Sequence, residues 1–318
     1  MENYDLGEVA LPHAMPGAHQ RRHRKLVVET ESGQFVVKTY SNDEVVLDAL
    51  RFQHRLSDHL SANRLPVARI QRARNGKRIV VIDNWALELQ QFIPGIPMPI
   101  TRATLATSAE ALGHFHQVCR DLPRPTRDTR MWRFSEVPRD MFARLYGLAL
   151  EEGDAEQVNE ACNQIALFLR EASDALGFEK RKHFETGLIH GDWHSGNLLF
   201  VGQSLSAILD LEFAGEGCYL EDIAYALSNL CVRTTTDPDR LQSRTNIVMD
   251  HYQFYRSLSF LEEMALYYAV GMKHIATVAF QMRGETKEVA GFGPANWMGR
   301  LAAQCDWLGK RAKRIRGM

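Results

Sequence analysis

Apolar and polar residues mix at short period over residues 25–30 and 34–40, two β-branched runs separated by Glu31-Ser32-Gly33, where a glycine is available for a positive φ. Two antiparallel strands are expected. The period then lengthens. Ser41-Asn42-Asp43-Glu44 reads as a capping box, and Val45, Ala49, Phe52, Leu56 and Leu60 follow at spacings of four and three, which predicts a helix with one face on the sheet. Runs at 66–72 and 78–82 flank Asn75-Gly76 as a further hairpin, and a run at 85–93 stops at Pro94-Gly95. Residues 1–95 should therefore form a small antiparallel sheet with one helix.

Beyond Thr101 the apolar period is helical, over 108–118, 140–150, 154–175, 221–232, 246–255, 261–280 and 297–313. One β element interrupts it, at 197–210. The expected fold class is α+β with two domains, 1–95 and 96–318, joined at Pro94-Gly95-Ile96-Pro97.

Composition narrows the function. The 318 residues are 45% hydrophobic and 24% charged, enough for two packed cores. With 38 basic and 39 acidic residues the net charge is −1, so no long-range field draws the chain to nucleic acid or to an anionic membrane. No stretch approaches the roughly 20 apolar residues of a membrane span, and residues 1–10 do not resemble a signal peptide. A cytoplasmic protein is expected. The five cysteines are scattered without a CxxC pair, which argues against a disulfide framework or a zinc site. Oligomeric state is not legible.

The chemistry concentrates between residues 188 and 212. Apolar runs on either side of Gly202-Gln203-Ser204 predict a β-hairpin, with Asn197 at the start of its first strand and Asp210 just past the end of its second. Neighbouring strands lie about 4.8 Å apart, so an amide oxygen and a carboxylate should emerge at the same open end. Such hard oxygen ligands suit Mg2+, which takes its remaining ligands from water and nucleotide phosphates. Asp192 precedes Asn197 by five residues, where it could accept a proton from an incoming hydroxyl; His190 is better read as a brace for this loop. Lys38, in Phe35-Val36-Val37-Lys38-Thr39-Tyr40, supplies a cation for phosphates. Its acidic partner would come from the following helix. Glu44 is accounted for by the capping box, which leaves Asp48, at the edge of the apolar stripe, as the preferred partner.

His190-Gly191-Asp192, then Asn197, then a hairpin and Asp210-Leu211-Glu212, resembles the aminoglycoside phosphotransferase and choline kinase superfamily, which includes type II homoserine kinases. Leu65-Pro66-Val67, Leu89-Gln90-Gln91-Phe92-Ile93-Pro94-Gly95, the helix with Ala111-Leu112-Gly113 and His116, and Asp222-Ile223-Ala224 are similar to family landmarks in family order. The resemblance implies a bilobal protein-kinase-like fold, with a small antiparallel-sheet N-lobe and a larger, mostly α C-lobe. It implies ATP and Mg2+ as cofactors, adenine against the backbone of Gln90, Gln91 and Phe92, and the phosphates at Lys38. It also implies Asn197 and Asp210 as metal ligands, Asp192 as catalytic base, and transfer of the γ-phosphoryl group to the hydroxyl of a small molecule. Two departures stand out: residues 17–25 hold one glycine and many bases where the family carries a small polar loop, and the helix lacks an inward glutamate.

Trp193, beside the base, and Glu212, near the metal ligands, complete the candidate site. His190, Asp192 and His194 alternate as in metal hydrolases, but a zinc site would leave Asn197 and Asp210 without a role. Trp132 and several tyrosines read as core more readily than as pocket. Asp222 follows Asp210 by only twelve positions, too few for the segment with which a protein kinase docks a polypeptide, so a small acceptor is favoured. The acceptor is expected among amino alcohols, hydroxy amino acids, sugars and aminoglycoside-like compounds, and Glu212, Glu216, Glu221 and Asp222 mildly favour a cationic one such as an amino alcohol, amino acid or aminoglycoside. The alternatives are a catalytically silent kinase-like binding protein and a stress-response-type protein Ser/Thr kinase.

Overall fold

The computed structural model describes residues 3–10, 12–14, 25–122, 137–282, 288–315 and 317. The expected phosphate-covering stretch 17–24 and Trp132 lie outside them. Among the described residues the strands are β1 (His13–Ala14), β2 (Lys25–Thr30), β3 (Gly33–Ser41), β4 (Val80–Ile82), β5 (Trp85–Gln91), β6 (Ile96–Pro97), β7 (Thr186–Ile189), β8 (Leu198–Val201), β9 (Ser204–Ile208) and β10 (Gly215–Cys218). The helices are α1 (Glu44–Ala62), α2 (Arg102–Val118), α3 (Arg139–Glu152), α4 (Ala155–Ala175), α5 (Phe178–Arg181), α6 (Tyr219–Leu227), α7 (Pro238–Tyr252), α8 (Phe260–Gln281) and α9 (Pro294–Ile315). None is long and apolar enough to cross a membrane among the described residues.

Compactness divides the chain into Met1–Met98 with Gly196–Glu212, and Pro99–Ser195 with Phe213–Met318. The sequence boundary at 95/96 leaves the 198–208 hairpin with the helical part. Here it groups with the first unit, because Ile96 pairs with Phe200, Met98 N–H donates to Leu198 O, and Val67 bridges to Ile208.

In the first unit the sheet runs β1-β2-β3-β5-β4, antiparallel throughout. Side chains alternate across β3 and β5. Phe35, Val37 and Leu89 join Tyr4, Leu6, Val28 and Val80 in a core on one face. Tyr40 and Ala86 meet Leu47 and Leu50 of α1 on the other. Lys38 and Glu88 share the parity of Tyr40 and Ala86, so both project to the α1 face. The capping box expected from Ser41 does not form: β3 continues through Ser41, paired with Trp85, and Asp43 caps α1 by accepting from Val45 and Val46 N–H. Residues 66–72 make only isolated bridges at Val67 and Ile70 rather than a strand, in keeping with the missing N–H of Pro66. A second, three-stranded sheet runs β6-β8-β9.

The second unit is helical apart from one ribbon. α8 is buried along almost its whole length, and α4, α6 and α9 pack on it. α2 begins at Arg102, six residues ahead of its visible periodicity, with the N-cap Thr101 and Thr104 forming a capping box. α7 likewise starts early, capped by Asp237 with Pro238 in its first turn. The β7–β10 ribbon is not expected from the sequence pattern, in which Gly215-Glu216-Gly217 reads as a turn. Its glycines are there for close packing: a Cβ on Gly187 would lie 1.9 Å from the Tyr219 hydroxyl, and one on Gly217 would lie 2.4 Å from Ile189 Cδ1.

Candidate active site

In the first unit the hairpin delivers Asp210. Leu198 pairs with Ile208, and Leu209 N–H donates to Asn197 O at 2.8 Å, which ties the two ends of the hairpin together. Asn197, at the end of the 3₁₀ turn Ser195–Asn197, is buried. Asp210 has φ of 53°, a left-handed conformation uncommon outside glycine, asparagine and aspartate. Its carboxylate meets two ammonium groups. Lys25 Nζ donates to Oδ1 at 2.8 Å and to Oδ2 at 3.0 Å, and Lys38 Nζ donates to Oδ1 at 3.2 Å. Burial by itself would raise the Asp210 carboxyl, but the Lys38 and Lys25 charges outweigh it and hold the group far below the usual carboxylate range.

Lys38 has a second acid beside it, and α1 does not supply it. Lys38 stands directly opposite Glu88 in the β3–β5 register. Glu88 is 1% exposed and fully engaged: Tyr40 OH donates to Oε1 at 2.9 Å, Gln90 Nε2 to Oε1 at 2.8 Å, and His54 Nε2 to Oε2 at 2.7 Å. Burial opposes ionisation of Glu88, yet the His54 hydrogen bond and the Lys38 charge lower its pKa. The inward residues of α1 are Leu47, Leu50, His54 and Ser57. Asp48 is not among them. It lies at 71% side-chain exposure, bonded to Arg51, so the expectation that Asp48 partners Lys38 does not hold: the acid in ion-pair contact with Lys38 is Asp210, and Glu88 stands opposite it and acts on it by charge. Lys38, His54, Glu88, Gln90, Val67 and Asp210 line one recess.

At the expected adenine hinge, Gln91 N–H donates to Arg69 O and Phe92 N–H to Gln34 O, so neither N–H is left to donate to a base. Glu212, in the 3₁₀ turn Leu211–Phe213, is half-buried, and its charge acts on both Lys38 and Tyr40.

In the second unit Asp222 organises the loop that carries Asp192. His190 N–H donates to its Oδ2 at 2.7 Å and Gly191 N–H to its Oδ1 at 2.9 Å, an arrangement that uses φ of 79° at Gly191. His116 Nε2 donates to the same Oδ2 at 3.0 Å, while its Nδ1 accepts from Tyr252 OH at 2.8 Å. Burial disfavours a charge on His116, and its neutral tautomer fits both bonds. Asp192 N–H donates to His190 Nδ1 at 3.2 Å, so His190 acts as a brace.

The Asp192 carboxylate is held from two sides. Tyr225 OH donates to Oδ1 at 2.8 Å, and His194 Nε2 lies 3.4 Å from Oδ2. Burial raises its pKa, but the His194 contact and the Tyr225 hydrogen bond bring it below the ordinary value, so the group is ionised at neutral pH and able to take a proton. Trp193 is corrected to a core residue: it is fully buried, its Nε1 donates to Ser108 Oγ at 2.9 Å, and its ring meets Phe115 and His190.

Sequence reasoning misses Lys25, His54, Glu88 and Tyr225. Glu88 carries a visible signal, a lone acid inside an apolar strand. Lys25 closes a run of bases that reads as a solvated face.

A model of the phosphotransferase enzyme family matches residues 14–258, and the chain belongs to that family. It is a small-molecule kinase, an enzyme that moves phosphate to a hydroxyl group. A homoserine kinase from Nitrobacter hamburgensis is 24% identical over 269 residues, covering 84% of this chain and 77% of the relative. Among solved structures, an aminoglycoside phosphotransferase from Alicyclobacillus acidocaldarius matches with a TM-score of 0.77 at 16% identity, over 99% of this chain and 93% of the other. A microcompartment-associated aminopropanol kinase matches with a TM-score of 0.68 at 19% identity, over 98% and 97%. These likenesses establish the expected α+β kinase-like fold.

Proposed function

We propose that this enzyme transfers the γ-phosphoryl group of ATP to the hydroxyl of a small amino alcohol or hydroxy amino acid. The observation that carries this reading is Asp210: a left-handed, ionised carboxylate gripped by two lysines at the mouth of a hairpin. A left-handed backbone and two lysines converging on one carboxylate mark Asp210 as a candidate functional position.

The donor set suits Mg-ATP. Asp210 and the Asn197 amide oxygen are hard ligands, and they would hold the metal. Magnesium, when bound, would neutralise charge on the phosphates. Lys38 and Lys25 would hold the phosphate oxygens, and Glu88 would fix the direction of Lys38. Asp192 would accept the proton of the acceptor hydroxyl as its oxygen bonds to the γ-phosphorus and the bond to the β-phosphate oxygen breaks, releasing ADP. Tyr225 and His194 would keep Asp192 ionised and oriented.

The short segment after Asp210 supports a small acceptor. Residues 215–218 are already paired in the β7–β10 ribbon and α6 begins at Tyr219, which leaves no long segment to dock a polypeptide. The case for a purely cationic acceptor weakens, because Glu221 pairs with Lys273 and Asp222 is consumed by the loop.

The test is a screen of homoserine, amino alcohols, sugars and aminoglycosides for ADP release, with Asp192→Ala as control. Turnover by the wild type and its loss in the variant, with Mg-ATP still raising the melting temperature, is expected. No release with any acceptor, together with no thermal protection by Mg-ATP, would sink the proposal and favour a silent binding protein.

A further inference from the structure

Helix α6 runs on into the π-helical turn Ser228–Val232, and both are buried. From Tyr219 to Arg233 only three side chains are half-exposed: Tyr225, Asn229 and Arg233. They recur every fourth residue, so they stand in one row, the open strip of a helix otherwise enclosed. Two of their bonds run along the strip or to Asp192, and the third leaves it for α8. Tyr225 OH donates to Asp192 Oδ1 at 2.8 Å, Asn229 Nδ2 donates to Tyr225 O at 3.0 Å, and Arg233 Nη2 donates to Gln281 Oε1.

One end of the strip is the proton-accepting carboxylate and the other is a guanidinium. The charge of Arg233 acts on the Tyr225 hydroxyl, so the two ends are within electrostatic reach. Its side-chain partner is a neutral amide, and no carboxylate among the described residues pairs with it. A cation at a helix C-terminus is favourable. That alone does not offset its partial burial, which works against the charge and which only Tyr225 opposes. The missing partner is an anion. Irregular π turns of this kind are found at functional positions more than elsewhere.

We propose that the Tyr225–Asn229–Arg233 strip is the acceptor subsite, and that Arg233 binds a carboxylate on the same small molecule whose hydroxyl faces Asp192. The acceptor class is then a short hydroxy acid, such as a hydroxy amino acid, in preference to an amino alcohol that lacks the acid group. Asn229 lies between the two ends, placed to hydrogen bond the middle of such a molecule. This rests on the kinase reading above, with Asp192 at the acceptor hydroxyl.

The experiment compares matched acceptors on the full chain: homoserine and 4-hydroxybutyrate, each against its amide, and 3-amino-1-propanol. Steady-state ADP release and calorimetric binding are measured for the wild type, Arg233→Gln and Arg233→Lys. The wild type should favour each acid over its amide by about 30-fold or more, the effect of truncating one member of an enclosed charge pair. Arg233→Gln should abolish that preference through KM for the acid, and Arg233→Lys should retain part of it. An acid that neither binds nor is preferred by the wild type overturns the subsite, as does a variant that loses acids and amides equally. The two readings separate cleanly: no ADP release with any acceptor fails the kinase reading, whereas release without acid preference fails only the subsite. An unchanged melting temperature in Arg233→Lys guards against a folding defect.

Discussion

Lys38 on β3 and Glu88 on β5 face one another across the ladder, both on the α1 side of the sheet. An acid whose charge acts on Lys38 therefore stands on a neighbouring strand, and the helix contributes His54 to hold that acid in place. A strand-borne partner has fewer ways to move than one on a helix, because its backbone is fixed by two ladders, to β3 and to β4.

Glu88→Gln should keep the shape of this network while removing the charge, lowering kcat/KM for ATP by about 10-fold or more with little change in fold. Glu88→Ala should in addition lower stability by about 3 kcal/mol, since it strands the donors of Tyr40, His54 and Gln90. Asp48→Ala, an exposed pair with Arg51, should change stability by less than about 0.5 kcal/mol. Urea denaturation and steady-state kinetics check all three; an Asp48 variant as impaired as the Glu88 ones would restore the helix acid.

Lys25 shares the Asp210 carboxylate with Lys38. Removing it in Lys25→Ala should raise KM for ATP by about 10-fold, because a charge-assisted hydrogen bond at an enclosed site contributes about 1.5–3 kcal/mol. Nucleotide titration by fluorescence or calorimetry measures this directly, and an unaltered affinity would reduce Lys25 to a structural counter-ion.

Asp222 carries two backbone N–H groups and His116 at once. Asp222→Asn should cost about 3 kcal/mol in stability and also lower kcat, because the loop it braces positions Asp192. A variant with a normal urea midpoint and normal kcat would show that the loop is held by other contacts.

His274 supplies a pH test that does not involve the site. Gln304 Nε2 donates to Val232 O and Thr235 O, so its Oε1 must accept from His274 Nε2, which places a proton on that nitrogen. Burial lowers the pKa from 6.5 to about 4. The unfolded chain therefore binds a proton between these values that the folded chain does not. Stability from this group is full above pH about 6.5 and falls as pH drops toward 4, by up to about 3 kcal/mol. His274→Gln should flatten that part of the stability–pH curve relative to wild type; parallel curves would contradict the assignment.

How much is legible in the sequence depends on how far each feature reaches along the chain. The strand Lys25–Thr30, the helix after it and the hairpin that presents Asp210 all rest on contacts between near neighbours, where hydrophobic period and turn residues act directly. The candidates Asp192, Asn197 and Asp210 stand out for the same reason, since all three lie within nineteen residues. The start of α7 is hidden because its early turns offer little apolar periodicity. The β7–β10 ribbon is hidden because its glycines exist to admit Tyr219 and Ile189.

By itself, then, the chain's pattern determined a sheet with one helix, a helical remainder, and a local cluster of oxygen-bearing side chains able to serve a phosphotransferase. Tertiary structure alone decided which charges meet. That Glu88 rather than Asp48 faces Lys38, that Lys25 reaches Asp210 across 185 positions, and that Trp193 fills a core depends on strand register and helix rotation. Those are set by packing between segments far apart in the chain, where a shift of one residue turns a side chain to the opposite face.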